Sequence, residues 1–411
     1  MRVLQLTGYF LPEKAASIYL TENRLEAFSK AGFDTVIWAS RPTRGLSDEE
    51  YQEYKHKTLE MMYGDKVTIH RFSMYREGKN PILRALRYTF NWMIQLWKGL
   101  REKDVDCIYL ASTPPIQGML GAFIKKIRHI PFVYNLQDIF PDSLNNNGLA
   151  NKGSILWKIG RKIEDFTYRH ADKIIVISED FKKNIMAKGV PEDKIVVVYN
   201  WVDQNAVVDI PREKNKLFDA YGLDRSKFYV TYNGNIGLSQ NMDMLLSVAE
   251  DFQKDYSDID FVLVGNGAYL DEVKRLVAER NLKNVHLLPF QPYEDISHVF
   301  SLGDASLVIS KPGTGAASVP SKTWSIMSAS RPVLANFDEN ELKDIVEKNH
   351  CGIFTKSGDK EAFKESILTL YRDRELCKEY GRNGRKFVME NLTREIGTQK
   401  YVDVIKSVCN N

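Results

Sequence analysis

Cysteine is scarce in this 411-residue chain, and the four present form no pattern. Cys107, Cys351, Cys377 and Cys409 lack CxxC spacing and neighbouring histidine clusters, so neither a disulfide framework nor a zinc site is indicated, and a reducing, cytoplasmic compartment is expected. No window approaches the roughly 18 to 20 apolar residues of a membrane span, which confines any membrane contact to the periphery. The apolar stretch of the opening MRVLQLTGYFLPE is short and no cleavage signature follows it, so a first strand is expected rather than a secretory signal. Nor is one sign of charge in excess: 57 Lys and Arg stand interspersed with 54 Asp and Glu, which argues against a dedicated nucleic-acid binder. Any attraction to anions must be local. Internal repeats and low-complexity tracts are absent as well.

The length exceeds what one hydrophobic core usually organises, so two domains of about 200 residues each are expected. Short apolar runs recur with amphipathic stretches between them: VLQLTG, TVIWAS, VTIHRF, DCIYLAS, PFVYNLQD, KIIVIS and KIVVVYN. The runs are continuous rather than alternating, as in parallel strands covered by helices on both faces. Near Asn200 a polar, charge-rich stretch interrupts this rhythm, which restarts with YVTYNG, FVLVG, VHLLP, ASLVIS, PVLANF and CGIFT. The pattern predicts an α/β fold of two Rossmann-like, doubly wound domains, residues 1–203 and 204–390, with 391–411 returning to the first.

Ligands of open α/β sheets sit beyond the carboxyl ends of the strands, which directs attention to five loops. Gly8, followed by the small residues Ala16 and Ser17 opening a helix, offers backbone amides to a phosphate or sugar; a tight βα turn would show the same residues. In Gln137-Asp138-Ile139-Phe140-Pro141, Asp138 is placed to accept or orient a hydroxyl, with a capping role as the alternative. Gly234-Asn235-Ile236-Gly237 lets backbone approach a ligand ahead of a helix beginning near Asn241. Gly265-Asn266-Gly267 has glycines at a second strand-to-helix junction, where a base or ribose edge, or simply a turn, is accommodated. Finally, Lys311 and Lys322 bracket a tract of glycine and small residues containing Val319-Pro320-Ser321. Flexible amides and fixed ammonium groups suit a diphosphate, and Pro320-Ser321 reads as a helix start with a hydroxyl for capping.

Taken together, Gln137-Asp138-Ile139-Phe140-Pro141-Asp142-Ser143, Gly234-Asn235-Ile236-Gly237 and Val319-Pro320-Ser321-Lys322 resemble the large retaining GT-B glycosyltransferase family four, over essentially the whole chain. The similar branch builds bacterial O-antigens and capsules and includes aminosugar transferases such as those for N-acetylfucosamine. The resemblance implies two facing Rossmann-like domains, the acceptor held mainly by the first and the nucleotide-sugar by the second. It also implies a final helix crossing back to domain one. Where many relatives have a histidine, this chain has Asp138; where they have an arginine and a lysine flanking the diphosphate, it has Asn235 and Gln240 or Asn241. The family's pair of glutamates is replaced by Ala317 and Ser325. Lys322, with Lys311, is therefore expected to neutralise the diphosphate.

The expected function is transfer of a sugar from a nucleotide donor, UDP-linked as predominates in the branch, to a saccharide acceptor on a polyprenyl-diphosphate lipid. Retention of configuration, independence of metal and absence of any further cofactor follow from the resemblance. Asp138 would orient donor or acceptor, and the leaving phosphate oxygen would take the acceptor proton. Residues 80–98 place arginines, a lysine and large aromatics at helical spacing, which suits contact with the inner face of the plasma membrane or an ordinary packed helix. A nucleotide-sugar 2-epimerase and a catalytically silent sugar-nucleotide binder are the alternatives. The epimerase would want carboxylates and a histidine around the donor, whereas His286 and His298 look incidental.

Overall fold

A computed structural model describes residues 1–13, 18–75, 81–114, 116–143, 151, 153–315 and 319–409. The candidates Ala16, Ser17 and Ala317 lie outside these described residues. The chain divides into two units, Met1–Tyr199 with Glu395–Asn411, and Asn200–Arg394.

In the first unit the apolar runs become β1 (Arg2–Thr7), β2 (Asp34–Ser40), β4 (Val67–Phe72), β5 (Cys107–Ala111), β6 (Phe132–Leu136), β7 (Lys173–Val176) and β8 (Ile195–Val197), all parallel. An eighth strand, β3 (Leu59–Met62), was not expected. It pairs antiparallel with β4 at the sheet edge, so one face stays wet, and exposure rather than residue type alternates along its sequence, LEMM. Strand order is β3-β4-β2-β1-β5-β6-β7-β8. Helices α1 (Ile18–Lys30), α2 (Asp48–Tyr54), α3 (Pro81–Arg101), α4 (Gln117–Arg128), α5 (Ile155–His170) and α6 (Glu179–Ala187) connect them. Serines begin three of these: the hydroxyls of Ser47, Ser154 and Ser178 accept the amides of Glu50, Trp157 and Phe181.

The second unit repeats the plan with β9 (Phe228–Asn235), β10 (Ile259–Asn266), β11 (Val285–Leu288), β12 (Ala305–Ile309), β13 (Val333–Phe337) and β14 (Gly352–Lys356). Their order is β11-β10-β9-β12-β13-β14, so the chain reverses its direction of winding between the neighbours β9 and β12. Ligand crevices of doubly wound sheets open at such a point. The helices are α7 (Leu217–Tyr221), α8 (Met242–Asp255), α9 (Leu270–Glu279), α10 (Ile296–Phe300), α11 (Lys322–Ser328), α12 (Glu341–Lys348), α13 (Lys360–Arg372) and α14 (Arg374–Asn391). The last helix, α15 (Arg394–Cys409), belongs with the first unit from Glu395 onward: its Tyr401 hydroxyl donates to Asn135 Oδ1 of β6 at 3.2 Å.

Apart from the β3 edge, both sheets carry buried side chains on both faces. Leu4, Leu6, Ile108, Leu110 and Phe132 anchor one core, and Val230, Tyr232, Leu245, Phe261 and Leu307 the other.

Candidate active site

In the second unit, the carboxyl ends of β9, β10 and β12 carry most of the residues singled out from sequence. β9 and β10 stay in register to their last residues, pairing Gly234 with Gly265 and Asn235 with Asn266. Their backbones are so close that a Cβ on Gly265 would lie 1.9 Å from the Gly234 carbonyl oxygen, and one on Gly267 would lie 2.2 Å from that of Ile236. Packing of one strand on its neighbour thus accounts for these two glycines without a ligand. Beyond them Gln240 folds back, its Oε1 accepting the Gly237 amide at 3.0 Å.

Gly234 is different. A side chain there would first meet Lys322, at 3.7 Å from Nζ and 3.9 Å from Cε. Lys322 opens α11 and lays its ammonium over the Tyr232 ring, 3.7 Å from the centroid. The residue as a whole keeps some exposure. Its ammonium nonetheless sits in desolvated surroundings that pull its pKa down to about 7, and it has no carboxylate partner among the described residues. Lys311 fares otherwise: its Nζ lies 3.9 Å from Asp243 Oδ2 and 5.4 Å from the Tyr269 ring, and Tyr269 donates its hydroxyl to the same carboxylate. One lysine is thereby brought to Gly234, and the other is held by α8.

The loop after β12 is braced by a residue that sequence reading missed. Asp338 Oδ1 accepts the Gly313 amide at 3.0 Å and Oδ2 the Gly315 amide at 2.7 Å. Those two amides, expected to be free for a diphosphate, are spoken for within the protein. The hydroxyl-capped helix start also needs correction. Ser321 precedes α11 in a right-handed helical conformation and makes no side-chain cap, because the turn is closed by the backbone: Thr323 and Trp324 donate to the carbonyls of Pro320 and Ser321. The amides of Val319, Ser321 and Lys322 donate no hydrogen bond among the described residues. Ser325 lies one turn further along α11, partly exposed.

Three polar side chains around this edge are buried with atoms that find no partner among the described residues: both amide atoms of Asn233 on β9, Ser310 Oγ after β12 and Thr323 Oγ1 in α11. Unmet hydrogen-bonding capacity in a buried group carries a cost, and a functional site is one setting in which that cost is retained. By contrast, His286 pairs with Asp260 at 2.7 Å at the start of β10, the opposite end of the sheet, and His298 lies within α10.

In the first unit Gly8 is buried after β1, its carbonyl accepting the Ser40 hydroxyl at 2.9 Å, and a Cβ there would lie 2.9 Å from Asn91 Nδ2 of α3. Asp138 is exposed beyond β6, and its amide and that of Gln137 donate to Ser112 Oγ after β5. Its carboxylate accepts no hydrogen bond among the described residues. The same loop is tied to α15 through Asn135, which also accepts from Gln137 Nε2 at 2.9 Å. Unforeseen in the sequence is Glu13, buried in the loop after β1, whose carboxylate takes the amides of Phe10, Thr43 and Arg44. Burial pushes its pKa up against the lowering effect of those bonds.

Two tandem Rossmann-like units, each doubly wound about a switch in strand order, between β1 and β5 in the first and β9 and β12 in the second, make this a GT-B architecture. Known structures agree: a protein of Anabaena, Alr3699/HepE, solved with UDP and glucose, superposes with a TM-score of 0.71 at 18% identity, covering 99% of this chain and 100% of that one. Sucrose-phosphate synthase from Thermosynechococcus elongatus gives 0.75 at 13% identity, covering 99% and 98%. In sequence, residues 20–206 match glycosyltransferase family 4 and residues 213–387 match the glycosyl transferases group 1, and the chain is a GT-B glycosyltransferase of that grouping. Similar curated proteins include a probable glycosyltransferase, WbjE, of Pseudomonas aeruginosa, 24% identical over 82% of this chain and 83% of its own length. A putative colanic acid biosynthesis glycosyl transferase of Escherichia coli, WcaI, is 26% identical over 80% and 81%.

Proposed function

We propose that the chain transfers a hexosyl or acetamidohexosyl unit from a UDP-sugar to a lipid-linked saccharide in the assembly of a bacterial surface glycan, with retention of configuration and without a metal. The observation that carries the donor side is Lys322. A cation without an ion-pair partner among the described residues, set against the Gly234 backbone at the carboxyl edge of β9, suits the negative charge that develops on a departing diphosphate. UDP as the leaving group is supported by the UDP present in the Anabaena structure of the same fold. The glycan acceptor is supported by the colanic acid assignment of the Escherichia coli relative.

In this reading the acceptor hydroxyl attacks the anomeric carbon from the face that the diphosphate leaves. The leaving phosphate oxygen takes the proton, so no separate base is needed. Lys322 and the amides of Ser321 and Lys322 meet the charge, the Gly234 backbone allows the close approach, and Asp138 orients a sugar hydroxyl. The test is UDP release by the purified chain from a panel of UDP-sugars, with and without a lipid-linked acceptor and with and without chelator. Acceptor-stimulated release that survives chelation is expected. Absence of release from every donor would leave the silent binder standing, and loss on chelation would remove metal independence.

A further inference from the structure

Helix α3 packs Trp92, Leu96 and Leu100 against the core of the first unit, but the side chains it buries most deeply are polar. Its buried side carries Arg87, Asn91 and Gln95, four residues apart and each no more than 6% exposed. Gln95 Nε2 donates to Asn91 Oδ1, and Gln117 of α4 donates both to Gln95 and to the Leu6 carbonyl of β1. Its outer side presents Leu83, Leu86, Phe90, Met93 and Trp97, all 45 to 50% exposed, in a single stripe with alternating spacings of three and four.

The stripe does not stand alone. Trp92 of α3 meets Phe123 of α4 at 6.0 Å, and Phe123 meets Phe166 of α5 at 5.0 Å, so the three helices form one layer. Phe123 and Ile127 of α4 are exposed on it, as are three residues at the start of α5, with Ile155 at 80%. Of the twenty large apolar side chains exposed among the described residues, ten fall on these three helices, which makes a patch rather than a scatter.

Charge decides what covers that patch. In sequence, the three helices hold eleven Lys and Arg, of which Arg87 is buried and Lys125 pairs with Asp172, against two acids, Glu164 and Asp165, and Glu164 is buried against Arg161 and Lys188. A surplus of nine positive charges, in a chain whose whole net charge is +3, leaves the remainder net acidic. A second copy brought face to face would set Lys98, Arg101, Lys126 and Lys158 against their own kind. An anionic bilayer would neutralise them. The Trp97 ring, 4.6 Å from Lys98 Nζ and 4.4 Å from the Arg101 guanidinium, is an apolar body with cations at its rim, as side chains at a headgroup boundary are arranged. No described helix is long and apolar enough to cross a membrane, so the contact is with the interface alone.

We infer that the outer faces of α3, α4 and α5 are a docking surface for an anionic lipid bilayer. The inference supplies a place for the lipid-borne acceptor and in that respect rests on the function proposed above, although the face itself is argued from its own side chains. Asn91 meets Gly8 at the end of β1, and ten residues of α3 precede it. At 1.5 Å per residue, the first half of the helix therefore rises roughly 15 Å beyond that level. It is steadied there by the Tyr88 hydroxyl against that of Tyr9 and by Arg87 against Thr43. The apolar stripe thus continues past the carboxyl edge of the sheet, the edge at which the acceptor would be met.

The test is co-sedimentation of the full chain with vesicles of phosphatidylcholine alone or with equal parts phosphatidylglycerol, alongside UDP release in solution as a separate readout. Binding to the anionic vesicles only is expected, weakened by salt. The pair Phe90→Ser and Trp97→Ser should lower it about tenfold or more while UDP release and helical signal persist. Should that pair fail to fold, the single change Met93→Gln replaces it, with a smaller loss expected. Reversing Arg101 and Lys126 to Glu should weaken anionic binding by about fivefold per charge. Equal binding to both vesicles, no binding, or undiminished binding by the apolar variants would overturn the inference. So would sedimentation of the free chain as a dimer that those variants dissolve. Because vesicle binding and UDP release are read separately, loss of one leaves the other interpretable.

Discussion

The Lys322 ammonium stands 3.7 Å above the centre of the Tyr232 ring, linking the first residue of α11 to β9. An aromatic face offsets only part of a cation's lost hydration. Desolvation consequently brings the lysine to a pKa of about 7, from an ordinary value of 10.5, while a partner anion would restore it. The free protein therefore keeps this cation poised for a ligand that supplies the missing charge.

A pH profile follows from that relationship. As pH rises through about 7 the free lysine loses its proton, and an anionic donor must then bind together with one. The expected outcome is a kcat/KM for the donor that falls by about tenfold per unit above pH 7. Lys322→Arg, which keeps its charge, should lack that fall even if its overall rate is lower. Lys322→Ala should lose on the order of a hundredfold in turnover. Rates near those of the unaltered chain would remove Lys322 from its role.

The same lysine has a thermodynamic signature. Its folded pKa is depressed, so between about pH 7 and 10.5 the unfolded chain binds more protons, and stability rises with pH across that window. Below it the full penalty for holding the cation is present. Lys322→Met should accordingly stabilise the ligand-free protein at pH 6, by on the order of 2–4 kcal/mol once partial exposure is allowed for, and by little at pH 10. Denaturant melts at the two pH values measure the difference. A residue that costs stability yet supports turnover is what a binding site would retain.

Much of this arrangement was legible in the chain itself. Continuous runs such as FVLVG and ASLVIS could only be strands covered on both faces, and they supply β10 and β12. The site was less legible because its ties are not local. Asp338 lies 25 residues from Gly313, and nothing around it marks a carboxylate that will span two amides. Gly265 and Gly267 read as ligand or turn glycines, but the backbone that demands them, at Gly234 and Ile236, is 31 residues earlier. Helix α3 is amphipathic, as the helical spacing of its aromatics and cations predicts. Which of its faces points outward was decided by Asn91 and Gln95 meeting Gly8 and Gln117, contacts that no periodicity reveals.

Asp338 offers a test of how the β12 loop is shaped. Its two oxygens hold Gly313 and Gly315 in place, and Asn340 adds a bond from Nδ2 to the Gly315 carbonyl at 3.1 Å. Asp338→Ala frees both amides at once. Faster amide exchange over residues 311–321 and a donor KM raised about tenfold are expected, with a stability loss of about 1–3 kcal/mol. If the amides were instead needed by the diphosphate, the same change would lower KM, and this reading of Asp338 would fall.

Gly265→Ala separates a glycine kept for packing from one kept for a ligand. Its φ of 154° is unfavourable for a side chain, and the added Cβ would be driven to 1.9 Å from the Gly234 carbonyl oxygen, a backbone atom that cannot swing aside. β9 and β10 must part at their last residues, and Gly234, which Lys322 faces, must shift with them. The expected cost is about 2 kcal/mol or more in stability, from backbone strain and overpacking together. Donor turnover should fall in parallel, because the backbone that Lys322 faces is displaced. A variant of full stability with impaired donor binding would instead show that this glycine touches the nucleotide.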